Sequence, residues 1–167
     1  MKKYIFILFF ILAHHLQAQE ANKFDIKLLI GTPAAHFEAK SIKNKKYKIS
    51  NNNSKIVVLN FWYLGCAPCL IEINALNSFA AQYKGKVDFL AITFDTDKKK
   101  LAQCAKYRKM EYAIIADRKD ICTLYDIRGY PTNMVINKKG EIIFAEFGYK
   151  EGIENRLSEA VKMALKE

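Results

Sequence analysis

The sequence predicts an α/β protein in which a central mixed sheet is flanked by helices. Apolar runs of strand length alternate along the chain with segments whose apolar residues recur at helical spacing, and this alternation favours parallel strand pairing. Near the carboxyl end, two strand-like runs are separated only by residues 138–140, a tight turn that indicates an antiparallel hairpin. The 167 residues are enough for one domain with a hydrophobic core, and they contain no internal repeat.

The amino-terminal residues have the layout of a secretory signal peptide. Lys2 and Lys3 form a short positive region, residues 4–13 are almost wholly apolar, and Ala18 offers a cleavage position. An uncleaved amino-terminal membrane anchor is the alternative. The predicted organisation is a signal peptide at 1–18, a lead-in at 19–30 and a folded domain at 31–167.

The chain is strongly basic, with 27 Lys and Arg against 17 Asp and Glu and a formal charge of +10. Removal of Lys2 and Lys3 with the signal peptide would leave +8. The lysine clusters do not alternate with aromatic residues, as a groove for single-stranded nucleic acid requires. We therefore expect no nucleic-acid partner and a solvated basic surface, which can steer acidic partners or anionic lipid.

The first part of the domain leads into a buried strand. Gly31 and Pro33 mark a turn before an extended segment, and the lysine-rich residues 38–50 suggest a hairpin or edge strands at the surface. Residues 51–54 form a turn. The β-branched and aromatic run 56–62 then predicts a buried strand.

Two cysteines spaced C-x-x-C, Cys66 and Cys69, stand between this strand and a helix predicted from about Pro68 to Tyr83. Strand, dithiol and helix together are the context in which C-x-x-C indicates a redox pair. The unpaired N–H groups at the helix start favour an anion, so Cys66 is expected to be the more acidic and accessible thiol. Cys69, one turn further on, is placed to resolve a mixed disulfide.

The remaining elements follow from the same patterns. Apolar runs predict strands, amphipathic segments predict helices, and residues 129–132 interrupt the pattern. The predicted strands are 87–94, 112–116, 133–137 and 141–148, and the predicted helices are about 97–109, 118–126 and 150–166.

The cysteines leave alternatives open. A disulfide between Cys66 and Cys69 closes so small a loop that it would stabilise the fold little, which argues against a purely structural role. A zinc site would need further ligands from His36, Cys104 and Cys122. Cys104 and Cys122 are expected to be buried small residues, and a second structural disulfide between them is the alternative.

The order of parts resembles the thioredoxin fold and, within it, the exported TlpA-like (ResA-like) thiol–disulfide oxidoreductases. Four stretches carry the resemblance: Phe61-Trp62 with Cys66-Ala67-Pro68-Cys69, Glu72, Gly129-Tyr130-Pro131-Thr132, and Gly31-Thr32-Pro33-Ala34 with Phe37. The helix and strand at 97–116 are similar to the insertion that separates this branch from plain thioredoxin. The resemblance covers roughly residues 30–165 and implies a thioredoxin fold with an amino-terminal extension.

The resemblance also implies the site residues. Cys66, Cys69, Glu72 and Pro131 would be catalytic, with Glu72 on the helix face of Cys69 as a proton shuttle and Pro131 after a cis peptide bond. A surface glutamate favoured by the helix dipole and an ordinary trans turn are the alternatives. The substrate groove would include Trp62, Gly65, Ala67, Pro68 and Tyr130, with Trp62 a core side chain beneath it.

Two residues depart from the family pattern. Gly65 stands where the family usually has tryptophan, and Tyr130 is bulkier than the residue commonly found before the proline. The first change removes a large surface ring beside the dithiol, and the second would crowd the groove. Both positions therefore bear on which partners the protein accepts.

The resulting functional prediction is a periplasmic or otherwise extracytoplasmic oxidoreductase that reduces disulfides of exported proteins, for which cytochrome c maturation is the best-known family role. The redox group is the Cys66–Cys69 disulfide, with no cofactor and no metal. A transmembrane thiol-reducing donor would restore the dithiol, and a monomer is expected. A peroxiredoxin-like thiol peroxidase and a metal-binding dithiol module are the alternatives.

Overall fold

A computed structural model of the chain describes residues 25–166. The predicted signal peptide, 1–18, and the first part of the lead-in lie outside the described residues. No helix in the described part is long and apolar enough to cross a membrane. The strands are β1 (Phe37–Lys40), β2 (Lys46–Ile49), β3 (Ile56–Phe61), β4 (Val87–Ile92), β5 (Ala113–Ile115), β6 (Thr132–Ile136) and β7 (Ile142–Phe147), and the helices are α1 (Ala67–Gln82), α2 (Lys98–Tyr107), α3 (Lys119–Leu124) and α4 (Ile153–Ala164), with a 3-10 turn at Ile26–Leu29.

The five-stranded central sheet has the order β5-β4-β3-β6-β7. β3, β4 and β5 run parallel, whereas β6 is antiparallel to β3 and β7 is antiparallel to β6. The central strand β3 is buried along its whole length, which explains why its sequence is apolar at every position except Asn60 and does not alternate. The predicted mixed sheet flanked by helices and the thioredoxin-fold class are confirmed.

The two faces of the sheet carry separate hydrophobic clusters. Alternate residues of β3 point to opposite faces: Val58 belongs to the cluster that α1, α2 and α4 cover, and Leu59 belongs to the other. The second cluster is covered by α3, by the 3-10 turn and by a separate antiparallel sheet of β1 and β2. That small sheet is the hairpin predicted within 38–50.

Residues 25–30 of the lead-in pack against the domain. Asp25 accepts a hydrogen bond from the Lys27 N–H and so caps the 3-10 turn, and Ile26 is buried in the second cluster. The N–H of Gly31 donates to the Ile142 carbonyl over 2.8 Å, which fastens the start of the domain to β7. Burial of Ile26 and this pairing explain why residues 25–30 take a defined structure.

Candidate active site

Cys66 and Cys69 form a disulfide at the start of α1, with a Cα–Cα distance of 5.2 Å. Cys66 is the N-cap of the helix, and its Sγ accepts a hydrogen bond from the Cys69 N–H over 3.2 Å. Pro68 stands in the first turn, where its missing N–H breaks no helical bond. The helix start therefore supplies a donor to the Cys66 sulfur, as the sequence predicts.

The exposure of Cys66 differs from the sequence-based prediction. Cys66 is only 3% exposed and Cys69 1% exposed, so the prediction of an accessible Cys66 is wrong for this oxidised form. The cause is packing, since both sulfur-bearing residues belong to the cluster between α1 and the sheet. Gly65, Ala67 and Pro68 are exposed beside them and form the protein surface next to the disulfide.

Trp62 lies beneath this surface and not in it. Its side chain is 1% exposed and belongs to the same core cluster as the cysteines. The predicted position of Trp62 as a core side chain is confirmed, whereas its assignment to the substrate groove stays a prediction. Trp62 directly continues β3, so it is held on the sheet face that α1 covers.

The loop that ends at Pro131 reaches the disulfide because of strand pairing. Phe61 at the end of β3 is the register partner of Thr132 at the start of β6, so the segments that follow and precede them meet at one sheet edge. The peptide bond between Tyr130 and Pro131 is cis. The Pro131 carbonyl accepts a bond from the Gly148 N–H, and within residues 25–166 the backbone of Tyr130 forms no hydrogen bond.

Three aromatic rings pack together at this edge, and we call Tyr63, Phe94 and Tyr130 the aromatic cluster. The ring centroids lie 5.2 Å apart for Tyr63 and Phe94, 5.3 Å for Tyr63 and Tyr130, and 5.6 Å for Phe94 and Tyr130. The Tyr63 carbonyl also accepts the Cys66 N–H over 3.1 Å. A Cβ atom on Gly65 would lie 3.3 Å from the Tyr63 ring, so Tyr63 provides an aromatic surface beside the dithiol where Gly65 has no side chain.

Asp95 holds the loops of the aromatic cluster in place. Its carboxylate accepts hydrogen bonds from the Leu64 N–H and from the Thr93 hydroxyl, both over 2.8 Å. The first bond joins the loop after β3 to the loop after β4. Tyr63 and Phe94 are therefore fixed relative to one another by a backbone contact as well as by ring packing.

Glu72 is buried in α1, facing the sheet, and is 1% exposed. Its Oε1 accepts a bond of 2.9 Å from the Asn60 amide, and the Asn133 amide lies 3.3 Å from both carboxylate oxygens. Burial raises the pKa of Glu72 from 4.5 to about 7, although the Asn133 and Asn60 bonds act against this rise and the charge of Glu146 adds to it. A carboxyl group whose pKa lies at about 7 can gain or lose a proton at physiological pH.

The polar side chains near Glu72 form a row across the sheet. Asn60 on β3, Asn133 on β6 and Glu146 on β7 are successive register partners. Asn60 donates to the Asn133 side-chain oxygen over 2.9 Å, while Glu146 pairs with Lys150 and Arg156. The row thus extends from the buried Glu72 to charged groups at the surface.

Cys104 and Cys122 are both free thiols. Cys104 packs against the cluster under α2, and Cys122 belongs to the cluster on the other sheet face. The sheet lies between them, so the alternative of a second disulfide is excluded in this structure. Burial raises the pKa of the Cys122 thiol, and the neighbouring Tyr130 hydroxyl acts against this rise.

Sequence reasoning missed Tyr63, Phe94, Asp95 and Asn133 as parts of the site. The available signal was positional: Tyr63 and Phe94 directly follow two parallel strands, whose carboxyl ends share an edge. Asn133 is a buried amide in a strand whose following residues are all apolar. An amide there requires a buried partner.

Comparison with known proteins agrees with this arrangement. The profile of the AhpC/TSA family matches residues 30–145. The chain is 31% identical over 137 residues to the thiol–disulfide oxidoreductase ResA of Geobacillus kaustophilus, covering 80% of this chain and 78% of the relative. It is 28% identical over 127 residues to the thioredoxin-like protein YneN of Bacillus subtilis, covering 74% and 75%.

Among solved structures, StoA from Bacillus subtilis superposes with a TM-score of 0.65 at 25% identity, covering 78% of this chain and 98% of StoA. The shared fold places the C-x-x-C pair of this chain at the start of a helix, next to the central strand. The chain therefore belongs to the AhpC/TSA family, and within it to the ResA-like thiol–disulfide oxidoreductases.

Proposed function

We propose that this oxidoreductase is exported and reduces disulfides in other exported proteins, such as those handled during cytochrome c maturation. The observation that carries the proposal is the Cys66–Cys69 disulfide at the start of α1. The predicted signal peptide supports an extracytoplasmic, for example periplasmic, location. The similarity to ResA supports the activity class.

The reaction is a two-electron exchange that starts from the reduced dithiol. The Cys66 thiolate attacks one sulfur of the client disulfide, whose S–S bond breaks, and the released client thiolate takes up a proton. Cys69 loses its proton and attacks the Cys66 sulfur, which expels the second client thiolate. The client gains two electrons and two protons, and Cys66 and Cys69 are left joined.

Glu72 is the group that we assign to the proton of Cys69. It follows Cys69 by three residues, so both lie on one face of α1 and both are buried against the sheet. With a pKa of about 7, its carboxylate can accept the proton from Cys69, whose thiol is otherwise hard to ionise in a buried site. Glu72 therefore assists the second step, the resolution of the mixed disulfide.

Each turnover oxidises the protein, so a second reductant has to act upstream. The proposal assigns this role to a transmembrane thiol-reducing donor, and it assigns no cofactor or metal to the protein itself. The backbone of Tyr130, which forms no hydrogen bond within residues 25–166, supports an extended client segment that lies across the Pro131 loop. A monomer presents this face to both partners.

Reduction of insulin or of a model protein disulfide tests the proposal. Cys66→Ser should abolish the reduction, whereas Cys104→Ser, which changes a thiol outside the site, should leave the rate unchanged. Undiminished reduction by Cys66→Ser would overturn the assignment. Titration of the Cys66–Cys69 pair against glutathione then gives the reduction potential, and a potential more oxidising than that of glutathione would contradict the reducing direction.

The same preparation tests the peroxidase alternative. If peroxidase chemistry dominates, hydrogen peroxide should be consumed faster than the protein disulfide is reduced. We expect the opposite ranking, because Cys69 lies next to Cys66 and gives the intramolecular disulfide that suits exchange between proteins.

A further inference from the structure

Two members of the aromatic cluster, Phe94 and Tyr130, line a cleft of about 430 Å³. Phe94, Ile127 and Tyr130 give the cleft its apolar lining, and Cys122 lies at the same surface. Phe94 is 37% exposed although it is a large apolar residue. The volume exceeds what one side chain fills, and it suits two or three neighbouring side chains of a polypeptide.

The cleft is continuous with the site at which exchange takes place. Tyr130 belongs both to the cleft lining and to the loop before Pro131, and its ring contacts Tyr63. Tyr63 in turn accepts the Cys66 N–H through its backbone carbonyl. A segment lying in the cleft is therefore only a few residues of chain away from the dithiol.

The lining of the cleft is held in a fixed position. Tyr130 is braced by the rings of Tyr63 and Phe94. Asp95 ties the backbone of Leu64 to the loop that carries Phe94. An apolar surface that is rigid before binding loses little conformational entropy when it is covered.

The rim of the cleft carries an unbalanced positive charge. Asp126 is paired with Arg128 over 2.8 Å, so its negative charge is compensated. Lys119 also lines the cleft, and within the part of the chain that the structure describes its ammonium forms no ion pair. Charge complementarity therefore favours an acidic group on whatever fills the cleft.

We propose that this cleft binds an extended segment of the client protein, with an apolar side chain next to the client's disulfide cysteine and an acidic residue beyond it. The proposal rests on the function proposed above and names its substrate class. Phe94 and Tyr130 contact the apolar side chain, and Lys119 pairs with the acidic one. The disulfide exchange itself is unchanged.

Matched peptides cyclised by a disulfide test this preference. In the first pair of peptides, the residue next to the cysteine is either Leu or Ser. In the second pair, the residue one position further along is either Glu or Lys. With the reduced wild-type protein we expect kcat/KM to be about tenfold higher for Leu than for Ser, as burial of one aliphatic side chain allows. We also expect Glu to be preferred over Lys, and this preference to weaken at high salt.

Substitutions of cleft residues test whether these peptide preferences arise in the cleft. Phe94→Ser should bring the Leu to Ser ratio close to one, and Lys119→Glu should reverse the Glu to Lys ratio. The matched control is Tyr107→Ser on α2, since Tyr107 is an aromatic residue that is 82% exposed and lies outside the cleft lining. Both ratios should be unchanged in the control.

The outcomes separate this inference from the proposed function. Reduction of all four peptides at equal kcat/KM would overturn the client preference and leave the oxidoreductase activity intact. If the protein reduced none of the peptides and also failed to reduce a small aromatic disulfide used as a probe, the proposed function would be overturned instead. Sedimentation that shows a dimer dissociated by Phe94→Ser would assign the cleft to a second copy of the chain and would also overturn the inference.

Discussion

At the scale of single residues, Glu72 is the group whose environment most affects its chemistry. It is fully surrounded by the α1 face and the sheet, yet three amide contacts from Asn60 and Asn133 support its charged form. Burial outweighs these bonds, and the pKa of Glu72 is raised to about 7. A group balanced in this way changes charge within the pH range in which exchange takes place.

The raised pKa of Glu72 predicts that stability falls as pH rises. In the unfolded chain this carboxyl loses its proton near 4.5, whereas in the folded protein it keeps the proton up to about 7. Between these values the folded state binds more protons, so this group lowers the free energy of unfolding by about 3 kcal/mol in total across the window. Glu72→Gln removes the effect. Denaturation between pH 4.5 and 8 should show the variant gaining about 3 kcal/mol relative to wild type.

A difference between the two proteins that does not change with pH would contradict this origin. Glu159→Gln on α4 is the matched control, since Glu159 is an exposed glutamate on a helix. It should leave the pH dependence of the unfolding free energy as in wild type.

A second prediction at this scale concerns Asn133. Its amide bonds lower the pKa of Glu72, so Asn133→Leu, which keeps the approximate size of the side chain, should raise that pKa above 7. The carboxyl signal of Glu72 in carbon NMR measures the pKa directly. A lower or unchanged value would show that the Asn133 contacts do not support the carboxylate.

At the scale of elements, the β6–β7 hairpin depends on a glycine at its turn. Gly140 has φ +80°, and a Cβ there would lie 2.6 Å from the Ser50 carbonyl oxygen. Its own carbonyl accepts the Ala34 N–H over 2.7 Å. The turn therefore packs backbone to backbone against two other segments, and it has no room for a side chain.

Gly140→Ala should accordingly destabilise the protein by about 3 kcal/mol, through the left-handed backbone and the close backbone contact together. Gly85→Ala is the matched control, because Gly85 has φ +83° and nothing within 4 Å of its Cβ position. It should cost only about 1 kcal/mol. Urea denaturation measures both, and equal losses would show that the contact with Ser50 does not constrain the turn.

The order and type of the elements could be predicted because they depend on local patterns. The mainly apolar run of β3 and the C-x-x-C at the start of α1 are visible in the sequence alone. The site was less predictable, since Asn60, Glu72 and Asn133 meet only because β6 pairs with β3, a contact across 73 positions. The aromatic cluster likewise requires β4, β3 and β6 to be neighbours.

At the scale of the whole molecule, the sheet divides the cysteines into separate environments. Cys66 and Cys69 lie together at the start of α1, Cys104 lies on α2 and packs against the same face, and Cys122 is buried on the opposite face. A disulfide needs Cα atoms within about 7 Å. The intervening sheet prevents Cys104 and Cys122 from meeting that condition in the folded protein.

Thiol labelling after unfolding therefore gives a prediction for the whole fold. The oxidised wild-type protein should show two reactive thiols in denaturant, and peptide mapping should place them at Cys104 and Cys122. The double variant Cys66→Ser, Cys69→Ser should form no disulfide between Cys104 and Cys122 after exposure to oxidised glutathione in the folded state, because the sheet keeps these two thiols apart. The same variant oxidised in denaturant, where the sheet is lost, should form the Cys104–Cys122 disulfide and serves as the positive control. Formation of that disulfide under native conditions would contradict the placement of α2 and α3 on opposite faces.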